Sequence, residues 1–327
     1  MSTVAAPTNT VAPVASVTWG VGNTASVTTG TWTGTSPSYT YQWKRGGVAI
    51  VGETAATHAI VTADVGVSLT CDVTATNAAG SATASSNALS WSPQSLTPFA
   101  DYRAEDVHLT SSKVDTVYNT GSHGTYDLAQ SNASKRLTIN SADAHFNGHD
   151  SFHGAATCQA DATTASDWTA FHDGTGCTIL GVGRPTGTGN QWIAETANGS
   201  GGSSGFYLAW LAATGQLKYD AGSGDKLICL SAASSVPADA NVKFALTVQD
   251  TAGPDATFYV NGSSSGTANF GSAPGTSAPV QPLSIMNSNT FSVAFLGSMQ
   301  RLVFLKRVIT ATELGLWHAW CTTVLGV

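Results

Sequence analysis

The chain has 327 residues, 42% of them hydrophobic and only 10% charged, which is long enough for two cores and too apolar for disorder. Its formal charge of −7, from 20 acidic against 13 basic residues, leaves no basic stripe to follow a phosphate backbone, and nucleic-acid binding is excluded as a reading. No run approaches the ~20 consecutive apolar residues that span a bilayer, and abundant Gly, Ser, Thr and Ala without a long charged helix point to an all-β chain.

The N-terminal stretch MSTVAAPTNTVAPVAS has neither a basic n-region nor an apolar h-region, so export by a standard signal is not expected. Residues 1–12 read as an arm without a core of its own, and Val4, Pro7 and Val11 are its candidate contacts to a partner subunit. Further on, Tyr39, Tyr41 and Trp43 alternate with Thr40, Gln42 and Lys44, the period-two pattern of a half-buried strand. Leu69, Cys71, Val73 and Ala75 repeat that pattern, and Asn77-Ala-Ala-Gly80 turns the chain into another strand. A core Trp strand, then a Cys strand, then a Ser/Thr/Ala strand is an order that resembles the immunoglobulin fold. No cysteine precedes Cys71, so the inter-sheet disulfide is absent, and Leu69 stands where a tyrosine corner would be. The segments TWTGT, YTYQWKRGG, ADVG and CDVTATNAAGSAT resemble instead the bacterial-type Ig-like modules appended to tailed-phage virion proteins. This domain is placed at 13–91.

Trp91-Ser-Pro-Gln-Ser-Leu-Thr-Pro98 carries two prolines in eight residues, which sets a linker at 92–98 and a second domain at 99–327. There, short strands separated by Gly/Ser/Asn turns are predicted at 178–183, 191–195, 205–210, 217–220, 227–230, 242–249, 257–260, 283–286 and 299–305. Thr310 followed three residues later by Glu313 is a capping-box signature for a short C-terminal helix, with Leu314, Trp317 and His318 on one face. ADYRAEDV, HFNGHDSF, CTILGVGRP, VKFALTVQD with ATFYVNGSSSGT, and LGSMQRLVFLKRVITATELGLWHAW occur in the order of a concanavalin A-like (laminin-G-like) sandwich, and the second domain resembles that family. The fold class is therefore all-β: an N-terminal Ig-like sandwich followed by a concanavalin A-like jelly roll with a short C-terminal helix.

Laminarinase-like members of that superfamily carry two glutamates on one E-x-D-x-x-E strand, whereas the only glutamates here, Glu53, Glu105, Glu195 and Glu313, lie far apart in sequence. Asp220 and Asp225, or Asp167 and Asp173, read as turn residues. His145, His149 and His153 stand at i, i+4 and i+8, but Asn147-Gly148 and Gly154 argue for a hairpin with locally bonded histidines rather than a metal site. Cys71, Cys158, Cys177, Cys229 and Cys321 follow no metal-ligand spacing and read as reduced thiols. The glycine-rich stretch around Asn198 to Gly205 lacks the following Lys-Ser/Thr of a phosphate loop. Trp192 and Trp210 flank it on predicted strands and are the candidate platform for a sugar ring, against the plainer role of core tryptophans. The resemblance admits calcium but brings no ligand set onto numbered positions, so no cofactor is expected.

Together the two resemblances imply a non-enzymatic structural or accessory protein of a bacteriophage virion. It would be a capsid decoration or head-fibre protein, possibly tail-associated, made in the host cytoplasm and docked as a homo-oligomer on a phage capsid or tail protein. The alternative is an adhesin that recognises host-surface carbohydrate, and a glycoside hydrolase is a distant third.

Overall fold

The computed structural model describes residues 4–122, 126–154, 160–161, 166–197, 204–221, 227–250, 254–272, 274–275, 277–279, 281, 283–287 and 294–327. His123, Cys158, Asp225 and most of the glycine-rich stretch, 198–203, lie outside the described residues. The chain divides into two compact units, Met1–Ser92 with Gly315–Val324, and Pro93–Leu314 with Leu325–Val327.

The first unit carries strands β1 (Thr8–Val11), β2 (Ala15–Ser16), β3 (Thr24–Val27), β4 (Thr31–Thr33), β5 (Ser38–Arg45), β6 (Val48–Ala49), β7 (Thr57–Ala59), β8 (Leu69–Asn77) and β9 (Gly80–Ser85). They form a three-stranded sheet β2-β3-β7, a four-stranded sheet β6-β5-β8-β9 and the pair β1-β4. The two larger sheets close on a core to which one contributes Ala15, Ala25 and Val27 and the other Trp43, Leu69, Cys71 and Val73. Trp43 and Cys71 stand directly opposite each other on β5 and β8, both fully buried, as the alternating pattern requires. The Trp43 indole Nε1 donates to the Ala55 carbonyl at 3.0 Å, so the ring is buried without an orphaned donor.

Beside that ring lies a polar cluster that the sequence did not announce. His58, 4% exposed, places Nδ1 2.9 Å from Glu53 Oε2 and Nε2 3.0 Å from Asp64 Oδ2. Asp64 also accepts from Arg45 Nε at 2.8 Å and from the Val61 amide at 2.8 Å. Gly66 follows at φ +84°, where an added Cβ would sit 2.4 Å from Val324 Cγ2, so glycine is required for both conformation and space.

Residues 4–12 do not form an arm apart from the fold. Thr8–Val11 pairs with Thr31–Thr33, the Asn77 side-chain amide donates to the Ala5 carbonyl at 2.7 Å, and Pro7 is buried. The expected linker also differs from 92–98: Pro93–Leu96 forms a 3-10 helix with Pro93 and Leu96 buried, and the Leu96 carbonyl accepts from Arg307 at 3.0 Å. The side chains at 93, 96 and 98 are buried, so the two prolines do not mark an exposed linker.

The second unit carries β10 (Ala100–Thr110), β11 (Lys113–Asn119), β12 (Leu128–Ala129), β13 (Thr138–Asp143), β14 (His149–His153), β15 (Ala160–Asp161), β16 (Cys177–Arg184), β17 (Gln191–Glu195), β18 (Phe206–Leu211) and β19 (Gln216–Ala221). It continues with β20 (Leu227–Leu230), β21 (Val242–Val248), β22 (Ala256–Val260), β23 (Ser263–Ala268), β24 (Ser284–Ile285) and β25 (Ser298–Leu305). Their ladder runs β20-β19-β18-β17-β24-β15-β12-β11-β10-β25-β16-β21-β22-β23, with β14 joined to β25 and carrying β13. It wraps one apolar core in which Phe99, Trp168, Phe171, Phe206 and Phe304 make edge and tilted ring contacts with centroids 5.1–6.5 Å apart. The two ends of the ladder approach so closely at β20 and β23 that a Cβ on Gly266 would lie 1.9 Å from the Leu230 carbonyl oxygen.

Helix α1 (Ala311–Leu325) starts as predicted. Thr310 Oγ1 accepts from the Glu313 amide at 3.2 Å while Glu313 Oε2 accepts from the Thr310 amide at 2.8 Å. Of the predicted face only Trp317 is buried, with Leu314 and His318 partly so, and the buried surface includes the neighbouring Leu316 and Trp320 together with Ala319 and Cys321. Residues 315–324 group with the first unit, so the second domain does not run unbroken from 99 to 327.

No disulfide forms among the described residues: Cys71, Cys177, Cys229 and Cys321 are free and buried. Burial pushes the Cys71 and Cys177 thiols up and holds Cys229 up at about 12, so these groups stay protonated and unreactive.

Trp43→Ala should cost about 3–5 kcal/mol, Cys71→Val much less, and reductant should leave the melting temperature unchanged; a reductant-sensitive melt would contradict the free thiols. Arg301, 1% exposed on β25, bonds through Nε to Asp101 Oδ1 at 2.8 Å. Arg301→Met alone should cost about 3–5 kcal/mol in denaturant unfolding, because Asp101 is then buried without its counter-charge. Asp101→Leu combined with Arg301→Met should recover much of that loss.

Candidate sugar-binding face

Strands β17, β18 and β19 present Ile193, Phe206, Leu208, Leu217 and Tyr219 to the core, so the residues between them occupy the opposite face. The register places Trp192, Ala209 and Lys218 in one row across the strands, and Glu195, Tyr207 and Asp220 in the next. The small Ala209 side chain leaves room for the Trp192 indole to lean on the Tyr207 ring, with centroids 5.2 Å apart and planes 24° from parallel. Trp192 is half-buried, and its Nε1 is enclosed without a hydrogen-bond partner. An enclosed donor left unmade costs about 1–3 kcal/mol.

Lys218 Nζ lies 4.9 Å from the centre of the Tyr207 ring and 2.9 Å from Asp220 Oδ2, and it also donates to the Tyr207 hydroxyl oxygen. The Tyr207 hydroxyl donates to Asp220 at 2.8 Å. Burial pushes Tyr207 up to about 12 against the pull of Lys218, and its bond to Asp220 adds to the rise. Burial would lower the Lys218 ammonium, but its bonds to Tyr207 and Asp220 outweigh that and hold it above its ordinary value. The face thus offers an aromatic ring and a fixed cation, while Glu195 and Ser284 at its far end are fully buried.

Of the two tryptophans singled out in the sequence, only Trp192 belongs here. Trp210 is fully buried in the core with Nε1 bonded to the Val236 carbonyl at 2.8 Å, because it alternates in phase with Phe206 and Leu208. The sequence reading did not single out Tyr207 and Lys218, although the alternation in Phe206-Tyr-Leu208 and Leu217-Lys-Tyr219 carries the signal. Asp220 is a strand residue, 2% exposed, rather than a turn residue. Asp173 is a turn residue, accepting from the Thr175 amide at 3.0 Å, whereas Asp167 accepts the Tyr126 hydroxyl.

The structure does not gather the histidines. His145 pairs with Asp143 at 2.8 Å and His149 with Glu105 at 3.1 Å, both partly exposed, and β13 and β14 form the hairpin that the Asn-Gly turn implies. Among the described residues no group of three or more His, Cys, Asp or Glu could hold a metal ion. Of the N-terminal candidates, Val4 and Val11 are 47% and 56% exposed, while Pro7 is interior.

Residues 159–315 match the family model described as the concanavalin A-like lectin/glucanases superfamily, laminin G type. The second unit is a concanavalin A-like lectin/glucanase domain. It follows an N-terminal β-rich region. No curated protein matches the chain. Among solved structures, Trypanosoma rangeli sialidase in complex with 2,3-difluoro-KDN is similar over 77% of this chain and 43% of its own, at 10% identity and a TM-score of 0.47. The CBM40 of Ruminococcus gnavus IT-sialidase, bound to alpha2,3 sialyllactose, is similar over 43% of this chain and 80% of its own, at 16% identity and 0.36. The binding domain of botulinum neurotoxin DC in complex with SialylT is similar over 69% and 52%, at 8% identity and 0.46. The chain covers less than half the length of the sialidase.

The alkaline limb of stability tests the polar row on this concanavalin A-like domain. Tyr207 holds its proton to about 12 in the fold, above the ordinary tyrosine value of 10.0, so its contribution is complete below that value and is lost as pH rises through 12. Stability measured from pH 9 to about 12 should fall more steeply in the wild type than in Tyr207→Phe. Parallel curves would show that Tyr207 ionises freely.

Proposed function

We propose that the second unit is a non-catalytic carbohydrate-binding module that holds a sugar ring against Trp192. The observation that carries this reading is the half-buried Trp192 indole, stacked on Tyr207 and flanked by Lys218. An aromatic face supports the apolar face of a sugar, and a fixed ammonium beside it orients ring oxygens. The lectin/glucanase fold supports the same class of ligand. On this reading the protein is an adhesin, and display on a phage particle, the setting implied by the resemblance of the first unit, is where such a module would meet host-surface glycan.

A glycan array with the full chain identifies the ligand. Trp192→Ala should lower affinity for it at least tenfold, about 1.4 kcal/mol, in a protein that still folds cooperatively. Trp210→Ala should instead cost about 3–5 kcal/mol of stability. Unchanged glycan binding by Trp192→Ala would remove the platform from the reading. Release of reducing ends from a bound polysaccharide would overturn the non-catalytic part and direct attention to Glu195 and Asp220, which flank Tyr207 in one row. Mass spectrometry of purified particles tests the virion setting.

A further inference from the structure

Outside that face, a shallow pocket of about 270 Å³ is lined by Thr97, Phe99, Ser122, Leu305, Lys306 and Arg307, none of them a platform residue. Lys306 follows the last residue of β25, and its Nζ stands 3.8 Å from the centre of the Phe99 ring. Among the described residues it pairs with no carboxylate. The neighbouring Asp167 and Asp173 are engaged by Tyr126 and Thr175. Lys306 is exposed overall, and partial desolvation lowers its ammonium below its ordinary value in spite of both carboxylates. Arg307 is neutralised by contrast, with its guanidinium on both oxygens of Glu313 and on the Leu96 carbonyl.

The wall around Lys306 is held in place. Thr97, a β-branched residue, is kept at φ +52°, a conformation that such side chains disfavour and that persists only where the surroundings impose it. The Ser122 amide donates to the Pro98 carbonyl at 2.8 Å, and Gly121 packs so tightly that a Cβ would lie 2.7 Å from the Phe99 carbonyl oxygen. The exposed Ser122 hydroxyl therefore has a fixed base beside the pocket that Lys306 lines. The volume suits one ring-sized ligand, smaller than the ~300–1,000 Å³ of sites for larger molecules.

We propose that this pocket is a subsite for an acidic sugar, whose carboxylate or sulfate is held by the Lys306 ammonium with the Ser122 hydroxyl as a second donor. The site is independent of the Trp192 platform and does not rest on it. Calorimetric titration of the full chain with glucuronate, glucose 6-sulfate and glucose tests it. Glucuronate or glucose 6-sulfate should bind saturably, more weakly as salt is raised, and glucose should not bind in the same concentration range. A preference for the first assigns the carboxylate, and a preference for the second assigns the sulfate. Lys306→Met should weaken binding of the anion at least tenfold, Lys306→Arg should retain it, and Trp192→Ala should leave it unchanged. Lys306→Gln serves as the neutral variant should the methionine protein fold poorly. Absence of binding by both anionic sugars, equal binding of glucose, or wild-type affinity in the neutral variant would overturn the subsite.

Discussion

A strand buried on both faces has to satisfy every polar group it carries without water, and in the second unit that strand is β25. All eight of its residues are buried. It pairs with β10 on one side, with β16 on the other and, near its start, with β14. One face sends Leu302 and Phe304 into the aromatic core, and the other carries Arg301 to Asp101 on the neighbouring strand. A guanidinium removed from water is tolerable only with its charge matched and its donors placed. The ion pair thereby restricts how β10 can lie against β25, and the core rings inherit that register. Where β25 ends, burial ends with it, and the next side chain, Lys306, emerges beside Phe99.

The same pleat that builds the core builds the face around Trp192. Along β17, β18 and β19 each apolar residue turned inward leaves its neighbour turned outward, so Trp192, Tyr207, Lys218 and Asp220 assemble from three strands without a dedicated loop. Rigid strands rather than loops therefore hold the ring and the ammonium. Tyr207 is the joint of this arrangement: its ring supports Trp192, and its hydroxyl links Lys218 to Asp220.

The first unit solves a smaller version of the packing problem. Its core is anchored by one indole rather than a disulfide, and a histidine bridging two carboxylates stands beside that indole at a centroid distance of 5.6 Å. Free, protonated thiols at Cys71, Cys177 and Cys229 act as small apolar side chains in both cores.

Local signals were enough for the sequence to determine the Trp43 and Cys71 strands by alternation, the strands of the second unit from Cys177 onward except β23 by their bounding turn residues, and the cap at Thr310 and Glu313 by its spacing. Alternation also showed which residues share a strand face, but not which face meets the core. Trp192 and Trp210 looked equivalent as strand tryptophans, and only packing separated them: a bulge between Trp192 and Ala194 and the inward phase of Phe206 and Leu208 turn one ring outward and bury the other. Pairings between residues far apart in the chain, such as Arg301 with Asp101 and Lys306 with Phe99, were decided by tertiary structure alone. So was the grouping of residues 315–324 with the first unit. The physical reason is that a side chain's partner across a sheet depends on strand order and register, which depend on every strand between the two, whereas its alternation depends only on its immediate neighbours.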